Sequence, residues 1–177
     1  MAWVMAWDKS LGSGFCLAAG PRLGHNAGMA AAARPEPCVF CEIIAGRSES
    51  SQVYQDGLVV AFLDIRPLTP GHLLVVPREH AAGLDDLDEG LGARVFTVAH
   101  RLARALRRSG LPCEGVNMFL ADGAAAGQEV FHVHLHVIPR NPGDGFRLKA
   151  RRRTPGRDGL DAQAASVRHG VTGMPGN

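Results

Sequence analysis

The chain has 177 residues, 46% of them hydrophobic, which is enough to bury one core and predicts a single domain. Its 19 basic and 17 acidic residues give a formal net charge of +2, which argues against nucleic acid as a partner. No apolar run approaches the roughly 18 residues of a membrane span, and four unevenly spaced cysteines without a signal peptide predict a reducing, cytoplasmic location.

The N-terminal segment, residues 1–35, has no helical or strand periodicity and is predicted to be a disordered extension. Asp8 and Lys9 interrupt its apolar residues, which argues against a signal peptide. A folded domain is predicted over residues 36–149. Residues 150–177 are predicted to form a C-terminal tail with a short helix at residues 159–168.

Within the domain, residues 38–44 predict a short helix that ends at Ala45-Gly46. Residues 84–109 carry apolar side chains at steps of three and four, which predicts one long helix ended by Gly110. The predicted strands are residues 52–55, 58–63, 72–76, 116–120 and 130–138, and Asp56-Gly57 between the first two is a strong hairpin signal. This pattern predicts an α+β domain with a roughly five-stranded antiparallel sheet, one long helix and a short N-terminal helix.

The last predicted strand contains three histidines, His132, His134 and His136, which alternate with aliphatic residues. Side chains of an extended strand alternate between its two faces, so all three imidazoles are expected on one face. A helix would instead spread them around about half of its circumference. Crowded histidines predict either metal binding by neutral imidazoles or nucleophilic catalysis.

The residues before the histidines favour catalysis at a phosphorus centre. Residues 122–128 form a loop of small residues whose backbone N–H groups can approach an anion closely. The central His134 is best placed to attack, because it has an imidazole on either side that can donate to charged oxygens. A ring nitrogen attacks only if the proton sits on the other nitrogen, so a backbone carbonyl is expected to hold that proton.

Four blocks of the sequence, in this order, resemble the histidine triad (HIT) family of nucleotide hydrolases and transferases: residues 38–46, 61–72, 75–80 and 126–138. The resemblance covers residues 37–149 and implies a HIT-like fold in which two protomers join their sheets in a homodimer. HIT-like chains commonly start a few residues before the cysteine pair, so Met29 is a candidate translation start.

The resemblance also implies roles for single residues. His134 would be transiently nucleotidylated before water releases a nucleoside monophosphate, and His136 would donate hydrogen bonds to the phosphate oxygens. His72 matches a further family histidine near the pocket, although it can also be read as a strand-edge histidine without a role. The residues implied to bind the nucleotide are Phe40, Ile43, Phe62, Asp64, Ile65, Leu74, Gly127, Gln128 and Glu129, with Asp64 holding the ribose hydroxyls.

Two positions depart from the family pattern. Glu129 stands where relatives often carry a short hydroxyl or a longer polar residue, and a carboxylate there repels phosphates unless it is protonated or hydrogen-bonded. Ala121 stands where many relatives carry an asparagine. These departures put one phosphate or ribose contact and the leaving-group contact in doubt.

Cys38 and Cys41 have the C-x-x-C spacing that lets two thiolates share one tetrahedral ion, although a reduced buried dithiol is the alternative. The pair alone needs two more ligands. Relatives in the HIT family complete the set with a histidine after a strand and with the first triad histidine, which here are His80 and His132. The resemblance therefore implies a structural zinc ion.

Three functions are compatible with the sequence. The first is a hydrolase of nucleotidyl phosphoramidates, adenylates or dinucleoside polyphosphates, acting through a nucleotidyl-histidine intermediate. The second is a nucleotide-binding regulatory module without significant turnover, and the third is a nucleotidyl transferase. Transferases of the family usually carry glutamine at the third triad position, so His136 argues against the third. The expected partners are a purine nucleotide and a second copy of the chain, with neither nucleic acid nor a membrane.

Overall fold

The computed structural model describes residues 38–147 and 150–174, so the predictions for residues 1–35 lie outside the described residues. The helices described are α1 (Val39–Ile44), α2 (Glu89–Leu106) and α3 (Arg157–Thr172), with single 3-10 turns at Leu84–Asp86 and Ala124–Ala126. The strands described are β1 (Gln52–Gln55), β2 (Val59–Leu63), β3 (Leu73–Pro77), β4 (Gly115–Leu120) and β5 (Leu135–Arg140). No helix in this part of the chain is both long and apolar enough to cross a membrane.

The five strands form one antiparallel sheet in the order β1-β2-β3-β5-β4, which confirms the predicted α+β fold. β4 pairs with β5 and forms one edge of the sheet. The sheet buries both faces of its central strands. Side chains of β2 show the reason, because Val59 and Ala61 join the core under α2 while Val60 and Phe62 join a second core with α1.

The hairpin between β1 and β2 turns at Asp56, as the Asp56-Gly57 signal predicts. The Asp56 carboxylate accepts hydrogen bonds from the backbone N–H groups of Leu58 and Val59, both at 2.8 Å, and from the guanidinium of Arg94 on α2. Burial would raise the pKa of Asp56, but these hydrogen bonds hold it well below its usual range. The ionised carboxylate therefore ties the long helix to the hairpin.

The predicted long helix is present as α2, but the predicted bounds, residues 84–109, are wrong at both ends. The Asp88 side chain accepts a hydrogen bond from the N–H group of Leu91 and caps α2, so the apolar residues before Asp88 belong to a separate 3-10 turn. At the other end α2 stops at Leu106, before Gly110. The tail helix α3 is longer than predicted and contains residues 159–168.

The predicted strand over residues 130–138 also begins too early. The sheet ladder starts at Leu135, because the N–H group of Val133 donates to the carbonyl of Ala81 at 2.8 Å instead of to a neighbouring strand. His132 and His134 therefore precede β5, and only His136 lies within it. The aliphatic alternation still holds in part, because Leu135 and Val137 face the core under α2.

Candidate active site and metal centre

His134 lies in the extended segment that enters β5 and is buried, with 6% of its surface exposed. Its Nδ1 lies 2.7 Å from the backbone carbonyl oxygen of His132. A carbonyl oxygen can only accept, so Nδ1 carries the proton and Nε2 keeps its lone pair. The ring packs edge-on against Phe40, with 5.2 Å between the ring centroids, and lies 4.9 Å from the ring of His136. This arrangement supplies a neutral nitrogen nucleophile held in one orientation.

His72 is brought to the triad by the turn before β3. Gly71 has φ of +86°, and a Cβ there would lie 2.9 Å from Cδ1 of Leu111, so this turn requires glycine. The N–H group of Leu68 donates to Nδ1 of His72 at 3.2 Å, and Nε2 of His72 lies 2.9 Å from Nδ1 of His136. With Nδ1 accepting, the proton of His72 is on Nε2 and points to His136.

This hydrogen-bond chain fixes the tautomer of His136. Because Nδ1 of His136 accepts from His72, its own proton is on Nε2, which is the tautomer that donates. Burial lowers the pKa of His136 to about 4, helped by repulsion from His134 and His72 and opposed by Asp64. Burial also lowers the pKa of His72, again opposed by Asp64. Both rings are therefore neutral at pH 7.

Asp64 lies beside this chain, with Oδ2 3.6 Å from Nδ1 of His72 and 4.0 Å from Nδ1 of His136. Its other oxygen accepts from the N–H group of Arg66 at 2.8 Å. The ligand atoms of Asp64, His72 and His136 are close enough to share an ion. The direct hydrogen bond between the two histidines, however, already uses the nitrogens that an ion would need. The contacts therefore favour a hydrogen-bonded arrangement of His72 and His136 over a metal site at these residues.

A second cluster, the Cys2His2 cluster, consists of Cys38, Cys41, His80 and His132, whose ligand atoms lie within 4.8 Å of one another. Cys38 precedes α1 and Cys41 lies within it, while His80 follows β3. The sulfur of Cys38 is 3.4 Å from Nδ1 of His132, and that of Cys41 is 3.4 Å from Nδ1 of His80 and 3.6 Å from Nδ1 of His132.

These separations fit a tetrahedral zinc ion. With zinc–sulfur and zinc–nitrogen bonds of ordinary length, tetrahedral geometry places sulfur and nitrogen ligands about 3.5 Å apart. Nε2 of His132 lies 2.9 Å from the carbonyl oxygen of Pro77, so its proton is on Nε2 and Nδ1 is free to bind a metal. Cys113 is not in the cluster; its thiol donates to the carbonyl of Gly115, and Cys16 lies outside the described residues.

The residues predicted to bind the base divide into two groups. Phe40, Ile43, Phe62 and Leu74 are buried together in the core with α1, on the sheet face that carries His136. Ile65 is 94% exposed, and it follows Asp64 in the loop after β2. The first group therefore forms an apolar wall beside the histidines, and Ile65 is the exposed aliphatic residue near Asp64.

The loop before the histidines is held by Gln128, which is 5% exposed. Its amide oxygen accepts from the N–H group of Gly123 at 2.7 Å, and its amide nitrogen donates to the carbonyls of Ala82 and Val130 at 2.7 and 3.1 Å. Gly127 has φ of +85°, a conformation that side chains rarely adopt. The Gln128 side chain thus shapes the loop. The backbone N–H groups of Gly123, Gly127 and Gln128 already donate to oxygens within the loop, so the predicted anion contact from N–H groups at these positions is not free.

Two features of the site were not predicted from the sequence. Glu129 is paired with Arg66 at 2.8 Å, and both side chains are mostly exposed. Phe119 on β4 lies opposite His136, with their ring centroids 6.0 Å apart. The period-two alternation of β4 could have identified Phe119 once β4 was paired with β5. The Arg66 pairing has no local signal, because 63 residues separate the partners.

The chain is similar to known proteins in sequence and in structure. The profile of a family described as "HIT domain" matches residues 45–143. An uncharacterized HIT-like protein from Borreliella burgdorferi is 50% identical over 113 residues, which are 63% of this chain and 81% of that protein.

Solved structures give similar matches. A zinc-bound histidine triad family protein from Mycobacterium smegmatis is 41% identical, with a TM-score of 0.61 over 76% of this chain and 97% of that chain. A HIT family hydrolase from Legionella pneumophila Philadelphia 1 is 36% identical, with a TM-score of 0.53 over 59% of this chain and 93% of that chain.

Proposed function

The chain belongs to the HIT family, and from that premise we propose that it hydrolyses nucleotidyl phosphoramidates, adenylates or dinucleoside polyphosphates through a nucleotidyl-histidine intermediate. The observation that carries this proposal is the 2.7 Å contact between Nδ1 of His134 and the carbonyl of His132. It leaves the lone pair of Nε2 available while the next ring, His136, is a neutral donor. A regulatory module without turnover would need neither property.

In the first half-reaction Nε2 of His134 attacks the α-phosphorus and forms a P–N bond. The bond from phosphorus to the leaving group breaks, and its electron pair goes with the leaving group, which takes up one proton from solvent. The nucleotidylated ring is then cationic, and the His132 carbonyl stabilises it through the proton on Nδ1. His136 donates from Nε2 to a non-bridging oxygen, and His72 keeps it in that tautomer.

In the second half-reaction water attacks the same phosphorus. The P–N bond breaks, its electron pair returns to Nε2 of His134, and the second proton of water passes to solvent. Overall one water is consumed, and a nucleoside monophosphate and the protonated leaving group are released. His134 returns to its starting tautomer because the His132 carbonyl holds the Nδ1 proton throughout.

Substrate binding is assigned to the elements around the histidines. Asp64 would accept hydrogen bonds from the ribose hydroxyls, and Ile65 would cover a purine base that rests on the wall containing Phe62 and Leu74. Gly127 and Gln128 would shape the loop beside the phosphate, because their N–H groups already donate to the carbonyls of Ala124 and Gly123. Arg66 pairs with Glu129, which offsets part of the repulsion between this carboxylate and the phosphates.

The Cys2His2 cluster would hold a structural zinc ion, which cross-links α1, the end of β3 and the segment before β5 when it is bound. The residues themselves orient the site, because His132 provides both a metal ligand and the carbonyl that fixes His134. We also propose a cytoplasmic homodimer in which the edge strand β4 joins the sheets of two protomers.

The test is a substrate panel. The purified protein should release AMP from adenosine phosphoramidate, diadenosine tetraphosphate or diadenosine triphosphate, and His134→Ala should bind AMP without turnover of any of them. Binding of AMP by the wild type without hydrolysis of any compound would instead identify a nucleotide-binding module. Transfer of AMP to an added acceptor in preference to water would identify a transferase.

A further inference from the structure

The C-terminal helix α3 exposes an apolar face. Leu160, Ala164 and Val167 follow one another at steps of four and three residues, so their side chains lie on one side of the helix. Leu160 is 42% exposed and Val167 is 68% exposed. Asp158 and Ser166 lie on the opposite side of α3. This division between an apolar and a polar side is typical of a helix that packs on another surface.

α3 needs such packing to be stable. It has 16 residues, and Gly159 and Gly170 within it lower its helix propensity. An isolated helix of this length is marginal in water. Every described tail residue from 150 to 174 is exposed. The surface that stabilises α3 is therefore not found among the described residues of its own chain.

The start of the tail is anchored at the edge of the sheet. The guanidinium of Arg140, at the end of β5, donates to the side chain of Asn117 on β4 and to the two oxygens of Asp144 at 2.6 and 2.8 Å. It also donates to the carbonyl of Phe146 at 2.8 Å and lies 4.6 Å from the centre of the Phe146 ring. Because β4 is an edge strand, the tail leaves the domain beside the edge at which the proposed homodimer joins.

The tail is also long enough to cross that edge. Residues 147–156 separate Phe146 from α3, and an extended segment of this length spans at most roughly 33 Å. α3 itself is about 24 Å long. Both lengths are sufficient for the apolar face of α3 to reach a neighbouring protomer.

The acidic turn Leu84–Asp86 lies at the opposite end of β4 from the tail. Arg140 pairs with Gly115, the first residue of β4, so the tail leaves at the start of this strand. Asp122 follows the end of β4, and its carboxylate accepts from the N–H group of Leu84 at 3.0 Å. Two β4 strands that pair antiparallel about a two-fold axis bring the start of one strand beside the end of the other. The acidic turn of the second copy then lies beside the tail.

The charges of these two segments are complementary. The tail carries the basic run Arg151, Arg152 and Arg153, whose side chains are exposed. The turn carries Asp85 and Asp86, which are also exposed. A basic run beside an amphipathic helix also fits an anionic membrane. The position of the acidic turn favours the second copy.

We propose that the tail crosses to the second copy of a homodimer, where its basic run lies against the acidic turn and the apolar face of α3 packs on that protomer. This inference rests on the proposed homodimer and is independent of the proposed hydrolase reaction. Exposed ion pairs contribute little, so the ion pairs orient the tail and the apolar face supplies most of the affinity. Removal of two aliphatic side chains from that face should weaken the dimer about 100-fold.

The first experiment measures the dissociation constant of the dimer by sedimentation. The proteins are the wild type, the double variant Leu160→Asp with Val167→Asp, and the matched control Ser166→Asp on the opposite side of α3. The double variant should raise the constant about 100-fold, and the control should leave it unchanged. An unchanged constant in the double variant overturns the crossing of the tail and leaves the homodimer intact.

The second experiment exchanges the charges. Asp85→Lys with Asp86→Lys should weaken the dimer about three- to tenfold. Adding Arg152→Glu with Arg153→Glu to that variant should restore most of the lost affinity. If affinity is not restored, the contact between the basic run and the acidic turn is overturned.

Hydrogen exchange of the α3 amides identifies the surface on which the helix packs. It is measured in the wild type over the concentration range in which the dimer forms, with and without vesicles that contain anionic lipid. Protection that appears together with the dimer supports the proposal. Equal protection of the monomer would place α3 on its own protomer, and protection only with vesicles would assign it to a membrane; either result overturns the proposal.

A chain that stays monomeric at every concentration contradicts the homodimer and the crossing together. None of these measurements depends on turnover, so the hydrolase function stands or falls separately.

Discussion

The backbone carbonyl of His132 lies 2.7 Å from Nδ1 of His134, while the His132 ring points its own Nδ1 at the sulfurs of Cys38 and Cys41. One residue thus connects the Cys2His2 cluster to the proposed nucleophile. A metal ion that fixes the His132 ring also restrains the backbone of the same residue, which carries the carbonyl that holds His134. Metal occupancy and the orientation of His134 are therefore expected to be coupled.

Cys38→Ser should release zinc and lower both stability and turnover. Loss of a structural zinc ion is expected to cost at least about 3 kcal/mol of unfolding free energy, and kcat should fall more than KM rises because nucleophile orientation is what is lost. Zinc content, thermal unfolding and steady-state kinetics measure the three effects. Cys113→Ser, outside the cluster, should change none of them.

A core variant separates positioning of His134 from general destabilisation. Val98 lies on the core-facing side of α2 and is fully buried, so Val98→Ala should cost about 2–3 kcal/mol without touching the site. The two variants are compared at a temperature where both remain folded. Val98→Ala should keep the wild-type kcat and the wild-type 15N shifts of the His134 ring, whereas Cys38→Ser should change both. Equal kcat losses in the two variants would contradict the coupling.

His72→Gln should change the tautomer of His136, because the chain from Leu68 through His72 sets which nitrogen carries the proton. Loss of a correctly oriented donor is expected to lower kcat by about 10²-fold. The 15N spectrum of the His136 ring reports the tautomer directly. His100→Gln, on the exposed face of α2, is the control. A wild-type spectrum of the His136 ring in His72→Gln would show that this hydrogen-bond chain does not set the tautomer.

Stability should fall as the pH falls from about 6.5 toward 4, because the folded pKa of His136 is lowered from 6.5 to about 4 by burial and by its neighbours. In that window the unfolded chain binds a proton that the folded chain does not, so protonation favours unfolding. Between pH 7 and pH 5 this residue alone should cost about 2 kcal/mol. Denaturant unfolding should show a smaller pH dependence for His136→Gln, and an equal dependence would contradict the shift.

The sequence allowed the sheet, the short helix and the long helix to be predicted, because their signals are local. The Asp56-Gly57 turn and the aliphatic alternation around His136 are examples. The start of β5 could not be predicted, since it depends on a hydrogen bond from Val133 to Ala81, far away in the chain. The start of α2 at Glu89, after its cap Asp88, was missed because the apolar period continues through Leu84 and Leu87.

For the site, the spacing of the histidines and the resemblance to the HIT family indicated which side chains meet, and the resemblance alone joined His80 to the cysteine pair. They did not indicate what each side chain already binds. The Gln128 amide is engaged by three backbone groups, and Glu129 is paired with Arg66, contacts that only tertiary structure reveals. Phe119 was missed because the sequence does not say which strand lies beside β5.

The central claim, a covalent nucleotidyl intermediate on His134, is tested most directly by trapping it. The wild type is incubated with an adenosine phosphoramidate labelled on phosphorus and quenched in mild base, because a bond from phosphorus to histidine survives base and breaks in acid. We expect the wild-type protein to carry label that acid releases, and His134→Ala to carry none. An adduct that persists in His134→Ala, or substantial turnover by that variant, would contradict it.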